Sequence, residues 1–114
     1  MSAQLLNRHV DRFNRAVRSG QWAEMTSYFT DDAELRFEGV PAGPFEGREA
    51  IARAYREQPP DDEVLILDVD RVGDETVAGY AWAADPERRA GEMRLLERDG
   101  RIARLVVTFE GSDT

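Results

Sequence analysis

The chain has 114 residues, of which 41% are hydrophobic, and its net charge is -8, which together predict one folded acidic domain over residues 1–114. With no cysteine and one histidine, disulfides, thiolate metal sites and multi-histidine sites within one chain are excluded, so we expect no metal and no cofactor. The acidic balance disfavours nucleic acid and membranes as partners, and no apolar run approaches the roughly 20 residues of a membrane span, so we expect a cytoplasmic protein.

Helical spacing of apolar residues predicts three helices in the first half of the chain. In the first of them, Leu6, Val10 and Phe13 fall on one apolar stripe, and Gly20 follows where a left-handed C-cap is expected. The third ends before a pair of prolines, because proline cannot continue a helix. The predicted helices cover residues 3–19, 21–29 and 48–57.

Alternation of apolar and polar residues predicts five strands. Thr30, Asp31 and Asp32 are expected to form the break between the second helix and the first strand. Asp99-Gly100 is a strong hairpin signal before the last strand, whose odd-numbered residues are expected to face the core. The predicted strands cover residues 33–38, 64–71, 76–84, 90–97 and 101–110, with a Pro/Gly-rich loop at 40–47. Helices followed by antiparallel strands predict an α+β fold with three helices on one face of a curved sheet.

Four short motifs carry a resemblance to a known family. They are Ser19-Gly20-Gln21-Trp22, Tyr28-Phe29-Thr30-Asp31-Asp32-Ala33, Phe45-Glu46-Gly47-Arg48-Glu49-Ala50-Ile51 and Arg98-Asp99-Gly100-Arg101-Ile102. Their order resembles the nuclear-transport-factor-2-like superfamily and, within it, the SnoaL-like and ketosteroid-isomerase-like branches. The resemblance implies a cone-shaped α+β barrel with a mainly antiparallel sheet. It does not select a reaction, because this scaffold hosts isomerases, cyclases, hydrolases, dehydratases and non-enzymes.

The ketosteroid-isomerase resemblance can be followed residue by residue. Matched on the shared motifs, the oxyanion-hole tyrosine falls on Phe13 and the aspartate base on Phe37. Neither phenylalanine can donate a hydrogen bond or accept a proton through its side chain. The protonated acid falls on Glu92, and a supporting tyrosine on Tyr55. We therefore do not expect the usual ketosteroid isomerase mechanism.

Three titratable residues are candidates for acid/base catalysis. The family match places Glu92 inward, whereas plain alternation places Met93 and Leu95 inward and leaves Glu92 in water; we favour the inward placement. Asp68 is interpreted either as a second pocket carboxylate or as a solvent-exposed strand residue. A Glu92–Asp68 pair would suit chemistry of the epoxide-hydrolase or dehydratase kind. His9 is interpreted either as a proton shuttle at the pocket mouth or as a half-buried helix histidine.

Aromatic residues from different elements are expected to converge inside the cone, where they either fill the core or line a small-ligand pocket. The candidate ligand-binding residues are Phe13, Phe29, Phe37, Tyr55, Tyr80, Trp82 and Arg94.

Two functions remain open at this point. One is a cofactor-free acid/base enzyme of the isomerase, cyclase or hydratase type that acts on a small apolar substrate. The other is a non-catalytic ligand-binding or structural module with a filled cavity. A homodimer through the sheet face opposite the helices is also expected, because the strands carry apolar residues on both faces.

Overall fold

The computed structural model describes residues 2–40 and 42–109, with side chains from residue 4 onward. Pro41, in the predicted loop, and Glu110, at the predicted end of the last strand, lie outside the described residues. The helices are α1 (Ser2–Ser19), α2 (Trp22–Thr26) and α3 (Arg48–Glu57). The strands are β1 (Phe29–Glu38), β2 (Phe45–Glu46), β3 (Val64–Val72), β4 (Glu75–Trp82), β5 (Gly91–Arg98) and β6 (Arg101–Phe109).

The described strands form one six-stranded sheet in the order β2-β1-β6-β5-β4-β3. Neighbouring strands are antiparallel except β1 and β6, which run parallel. The sheet is curved and unclosed, and the three helices pack on one of its faces. The predicted α+β fold with three helices on a mainly antiparallel sheet is therefore confirmed.

Strand β1 is longer than predicted, and it contains the three polar residues that were expected to separate the second helix from the first strand. It begins at Phe29, which the sequence placed on the second helix, and its register with β6 is irregular between Phe29 and Glu34. Inside that irregularity the Thr30 hydroxyl donates a hydrogen bond to the Asp32 carboxylate at 3.0 Å. These polar side chains therefore accompany a bulge instead of ending an element. Strand β2 was not predicted, because two residues carry no periodicity.

A second register shift changes which residues of β6 face the core. Leu105 and Val107 are buried as predicted, but Ile102 is fully buried and Ala103 is only half-buried. The pairing of β6 with β5 shifts so that Ala103 has no partner residue in the register, which reverses the alternation before it. The hairpin itself is confirmed, since Asp99 and Gly100 have φ angles of 57° and 78°.

Helix α1 is fixed to the sheet by a side chain that replaces a strand partner. The Asn14 amide donates a hydrogen bond to the Val64 carbonyl at 3.0 Å, and its side-chain oxygen accepts one from the Val64 N–H at 2.7 Å. Both backbone groups of Val64, at the start of edge strand β3, are thereby satisfied by one residue. This contact holds α1 against the sheet. Leu6, Val10 and Phe13, which form the apolar stripe of α1, are buried as predicted.

The sheet face opposite the helices is covered by charged side chains over its central strands. They are Glu34, Arg36, Glu38, Glu75, Glu92, Arg94 and Arg104. The exposed apolar side chains of the described sheet gather instead on edge strand β3. They are Leu65, Leu67, Val69 and Val72, which are 41–55% exposed. The exposed apolar side chains that were expected on the sheet face opposite the helices are therefore confined to edge strand β3.

Replacing Asn14 by alanine should destabilise the fold by about 2 kcal/mol, because two backbone groups of Val64 lose their partner. Chemical denaturation measures the loss. The matched control is Asn7→Ala on an exposed position of the same helix, which makes the same change in helix propensity. Equal stability of the two variants would contradict the anchoring role of Asn14.

Candidate functional site

An apolar cavity of about 240 Å³ lies between α3 and the ends of β1, β4 and β6. Its lining residues are Leu35, Phe37, Val40, Ala42, Phe45, Ala54, Tyr55, Gln58, Pro60, Trp82 and Phe109. None of these described lining residues carries a charge. Two larger depressions of about 570 Å³ each are lined mainly by charged side chains, one at the start of α3 and one on the outer sheet face.

One wall of the cavity is a row of three aromatic rings contributed by three strands. The Phe37 ring on β1 contacts Phe45 on β2 at a centroid distance of 6.2 Å and Phe109 on β6 at 6.0 Å. The first pair is edge-to-face, an arrangement that aromatic quadrupoles favour. The strand order therefore converts three residues that are far apart in sequence into one continuous apolar surface.

The loop that closes this wall depends on a glycine. Gly39 has a φ angle of 97°, and a Cβ built on it would lie 2.6 Å from the backbone oxygen of Phe109. A side chain at this position would therefore collide with the end of β6. The glycine lets the chain leave β1 against the backbone of Phe109 and run on to Phe45 on β2.

Tyr55 brings a polar group into the cavity wall. Its ring stacks on Trp22 at 5.0 Å and meets Phe13 edge-to-face at 6.4 Å, and the residue is 6% exposed. Burial raises the pKa of the Tyr55 phenol, so the hydroxyl remains protonated and able to donate. Among the described residues, no group makes a hydrogen bond with this hydroxyl, which solvent can reach.

The predicted ligand-binding aromatics divide between the cavity and the core. Phe37, Tyr55 and Trp82 line the cavity. Phe13 lies behind Tyr55, and Phe29 is fully enclosed against His9, so both are core residues. Tyr80 is also fully buried, where its hydroxyl donates to the Thr108 carbonyl at 3.3 Å.

Glu92 lies on the outer face of the sheet, so the favoured inward placement is wrong. Met93 and Leu95 occupy the inward positions, as alternation alone requires. The Glu92 carboxylate is 3.5 Å from both Arg94 and Arg89. Arg94, proposed as a ligand-binding residue, therefore belongs to this charged surface as well.

Asp68 is near Glu92 but outside the cavity. Its carboxylate accepts a hydrogen bond from the Gly79 N–H at 3.0 Å, and its side chain is 69% exposed. The Arg89 guanidinium lies 3.9 Å from Asp68 and 3.5 Å from Glu92, so it stands between the two carboxylates. Of the two interpretations of Asp68, the structure agrees with the solvent-exposed strand residue and not with a second pocket carboxylate.

His9 is neither at the pocket mouth nor half-buried, so both interpretations of it are wrong. It is 2% exposed and packs edge-to-face on Phe29 at 5.6 Å, deep between α1 and the sheet. Its Nδ1 has no hydrogen-bond partner within the part of the chain that the structure describes. Burial, with a smaller contribution from Arg12, lowers the pKa of His9 to about 4.

Several lining residues were missed because their position depends on tertiary packing. Phe45 stands in a stretch interpreted as loop, and Gln58 and Pro60 in one interpreted as a helix stop. The inward alternation of β6 already included Phe109.

The described residues contain no group of three or more His, Asp or Glu side chains that could hold a metal ion. In the same part of the chain, no helix is both long and apolar enough to cross a membrane.

The sequence pattern of the SnoaL-like domain matches residues 10–105. The chain belongs to the SnoaL-like domain family. Among curated proteins, none matches the sequence. The SnoaL-like fold is shared with solved structures of the nuclear-transport-factor-2-like superfamily.

Three solved structures illustrate this similarity. A protein from Sphaerobacter thermophilus is 19% identical, with a TM-score of 0.72 over 93% of each chain. An NTF2-like protein of unknown function from Cytophaga hutchinsonii is 14% identical, with a TM-score of 0.69 over 96% of this chain and 90% of that one. An NTF-2 like protein of unknown function from Burkholderia xenovorans is 13% identical, with a TM-score of 0.67 over 100% of this chain and 91% of that one. At these identities the likeness establishes the fold alone.

Burial of His9 should make the protein sensitive to acid. Its folded-state pKa of about 4 lies below the ordinary value of 6.5, so the unfolded chain takes up the proton first as pH falls. The neutral imidazole makes its full contribution to the free energy of unfolding above pH 6.5, the ordinary histidine pKa. This contribution is lost progressively as the pH falls from 6.5 to about 4, the pKa of His9 in the folded protein. From about pH 7 to about pH 5, the wild type should lose roughly 2 kcal/mol more than His9→Leu.

Chemical denaturation of both proteins across this pH range measures the difference. Because the chain has one histidine, the comparison isolates that residue from the carboxylates that titrate in both proteins. Parallel stability curves would contradict the expectation.

Proposed function

We propose that this SnoaL-like protein binds a small apolar molecule in the cavity beside α3 without chemically changing it. The observation that carries the proposal is the composition of the described lining. Its walls are aliphatic and aromatic, and its polar side chains are the uncharged Tyr55, Gln58 and Trp82. Apolar walls with few polar groups are the usual form of a small-ligand site.

The lining gives less support to acid/base catalysis. A general acid or base must lie within hydrogen-bond reach of the substrate and titrate near the working pH. The three candidates do not meet the first condition, since Glu92 and Asp68 lie on the surface and His9 is enclosed in the core. The isomerase, cyclase or hydratase alternative therefore lacks a described residue to carry it.

Filling the cavity should abolish binding. Ala54→Phe places a ring where the Ala54 methyl now lines the cavity, so the affinity for tetralin, a neutral bicyclic hydrocarbon, should fall at least about tenfold. The matched control is Ala52→Phe, which makes the same change on α3 at a residue outside the lining, and which should retain affinity. Isothermal titration calorimetry measures both.

A second control tests the acid/base alternative directly. Glu92→Gln removes the surface carboxylate and should leave tetralin binding unchanged. Absence of binding by the wild type, or equal losses in Ala54→Phe and Ala52→Phe, would contradict the proposed function. A large effect of Glu92→Gln would favour a site that includes this acid.

We also propose that the protein forms a homodimer through the sheet face opposite the helices. In support, β1 presents the alternating charges of Glu34, Arg36 and Glu38 on that face. A two-fold contact presents the same surface twice, so glutamates of one subunit can meet arginines of the other. Val106, half-buried at the centre of the face, is in register with Arg36 and Arg94.

Val106→Asp should shift the mass measured by light scattering from dimer to monomer. The new carboxylate lies between Arg36 and Arg94, so it is tolerated in the single subunit but would be desolvated in a dimer. Val72→Asp, at an exposed position on edge strand β3, is the control and should remain dimeric. A wild-type protein that is monomeric at micromolar concentration would refute the dimer.

A further inference from the structure

We infer that the cavity selects a neutral molecule of about ten non-hydrogen atoms that carries one hydrogen-bond acceptor, which the Tyr55 hydroxyl binds. This inference rests on the proposed function, and it adds the size, charge and polarity of the ligand. Each of these three properties follows from a different feature of the cavity.

Size follows from the cavity volume. An apolar protein cavity of roughly 150 Å³ accommodates benzene, which has six carbon atoms. The present cavity has a volume of about 240 Å³, which is about 1.6 times as large. At similar packing, it accommodates a ligand of about ten non-hydrogen atoms. A bicyclic molecule fills this volume, whereas part of a tetracyclic skeleton would stay outside the cavity, in solvent.

Polarity follows from the Tyr55 hydroxyl. A tyrosine hydroxyl in an apolar site needs a hydrogen-bond partner, and an apolar ligand that displaces water from the hydroxyl leaves it unpaired at a cost in free energy. Tyr55 lines the cavity, is 6% exposed and has no partner among the described residues. An acceptor atom on the ligand, such as a carbonyl oxygen, supplies that partner.

Charge follows from the surroundings of the cavity. Asp61, Asp62 and Asp85 line a second depression, which shares Pro60 and Trp82 with the cavity. Negative potential at this shared wall disfavours an anionic ligand. The described cavity lining also offers no cation to a carboxylate, which would lose its hydration without compensation.

The test compares four probes by isothermal titration calorimetry. 1-Tetralone is bicyclic and carries a ketone, tetralin is the matched hydrocarbon, 1-naphthoate is an anion, and pyrene is tetracyclic. Tetralone should bind about fivefold more tightly than tetralin, the effect of one neutral hydrogen bond. Naphthoate should bind at least about tenfold more weakly than tetralone, because its charge loses hydration without compensation. Pyrene should bind no more tightly than tetralone, because the additional rings remain in solvent.

Tyr55→Phe isolates the hydroxyl. It should abolish the preference for tetralone over tetralin and leave the fold stable, because no described residue makes a hydrogen bond with the hydroxyl. Tyr28→Phe is the matched control, since this ring lies under Arg12 and outside the cavity lining. It should keep the preference for the ketone.

The outcomes separate this inference from the function on which it rests. Failure of every probe to bind would overturn the proposed function and this inference with it. Binding of tetralin with equal affinity for tetralone, or a ketone preference that survives in Tyr55→Phe, would overturn the inference alone. Tighter binding of naphthoate or pyrene than of tetralone would overturn it as well.

Discussion

The parallel pairing of β1 with β6 is the contact on which the rest of the structure depends. It joins the strand that follows the second helix to the last strand of the chain, so a long loop must close before it forms. The pairing puts the Phe37 and Phe109 rings 6.0 Å apart. The same register aligns Arg36 with Val106 on the opposite face. The aromatic wall and the charged outer surface are thus two sides of one strand pairing.

The sequence predicted the elements whose signals are local. The helix stop before Pro59, the hairpin at Asp99-Gly100 and the third helix over 48–57 depend on nearby residues, and the structure agrees with them. The parallel pairing and β2 involve distant or very short segments, which periodicity does not reveal. The register shift at Ala103 was missed for a similar reason, since a bulge is defined by two strands together.

The candidate site was predictable only in part. Alternation alone gave the right face for Glu92, and the family match overrode it wrongly. Helical spacing placed His9 near the apolar stripe, but only the packing of α1 on the sheet decides that it is completely enclosed. Phe37, Tyr55 and Trp82 were identified because aromatic residues from separate elements converge in a cone. Which aromatics reach the cavity and which remain behind it depends on strand order and helix placement.

The molecule separates its apolar and charged chemistry. The described cavity wall holds neutral side chains, whereas the candidate acids lie in ion pairs on the outer sheet face. Affinity in such a cavity comes from removal of apolar surface from water, and selectivity from the few polar groups that a ligand can satisfy. Tyr55 combines both roles, with its ring packed on Trp22 and its hydroxyl without a partner among the described residues.

Edge strand β3 has a consequence for the behaviour of the protein in solution. No described strand pairs with its outer edge, and it exposes the apolar side chains of Leu65, Leu67 and Val69. Such an edge is a template for strand addition and aggregation. The bulge between Ile66 and Asp68 interrupts the template, and charge repulsion between molecules opposes their approach. In acid the carboxylates are protonated and the net negative charge that keeps the molecules apart is lost. We therefore expect the protein to precipitate in acid by aggregation at β3.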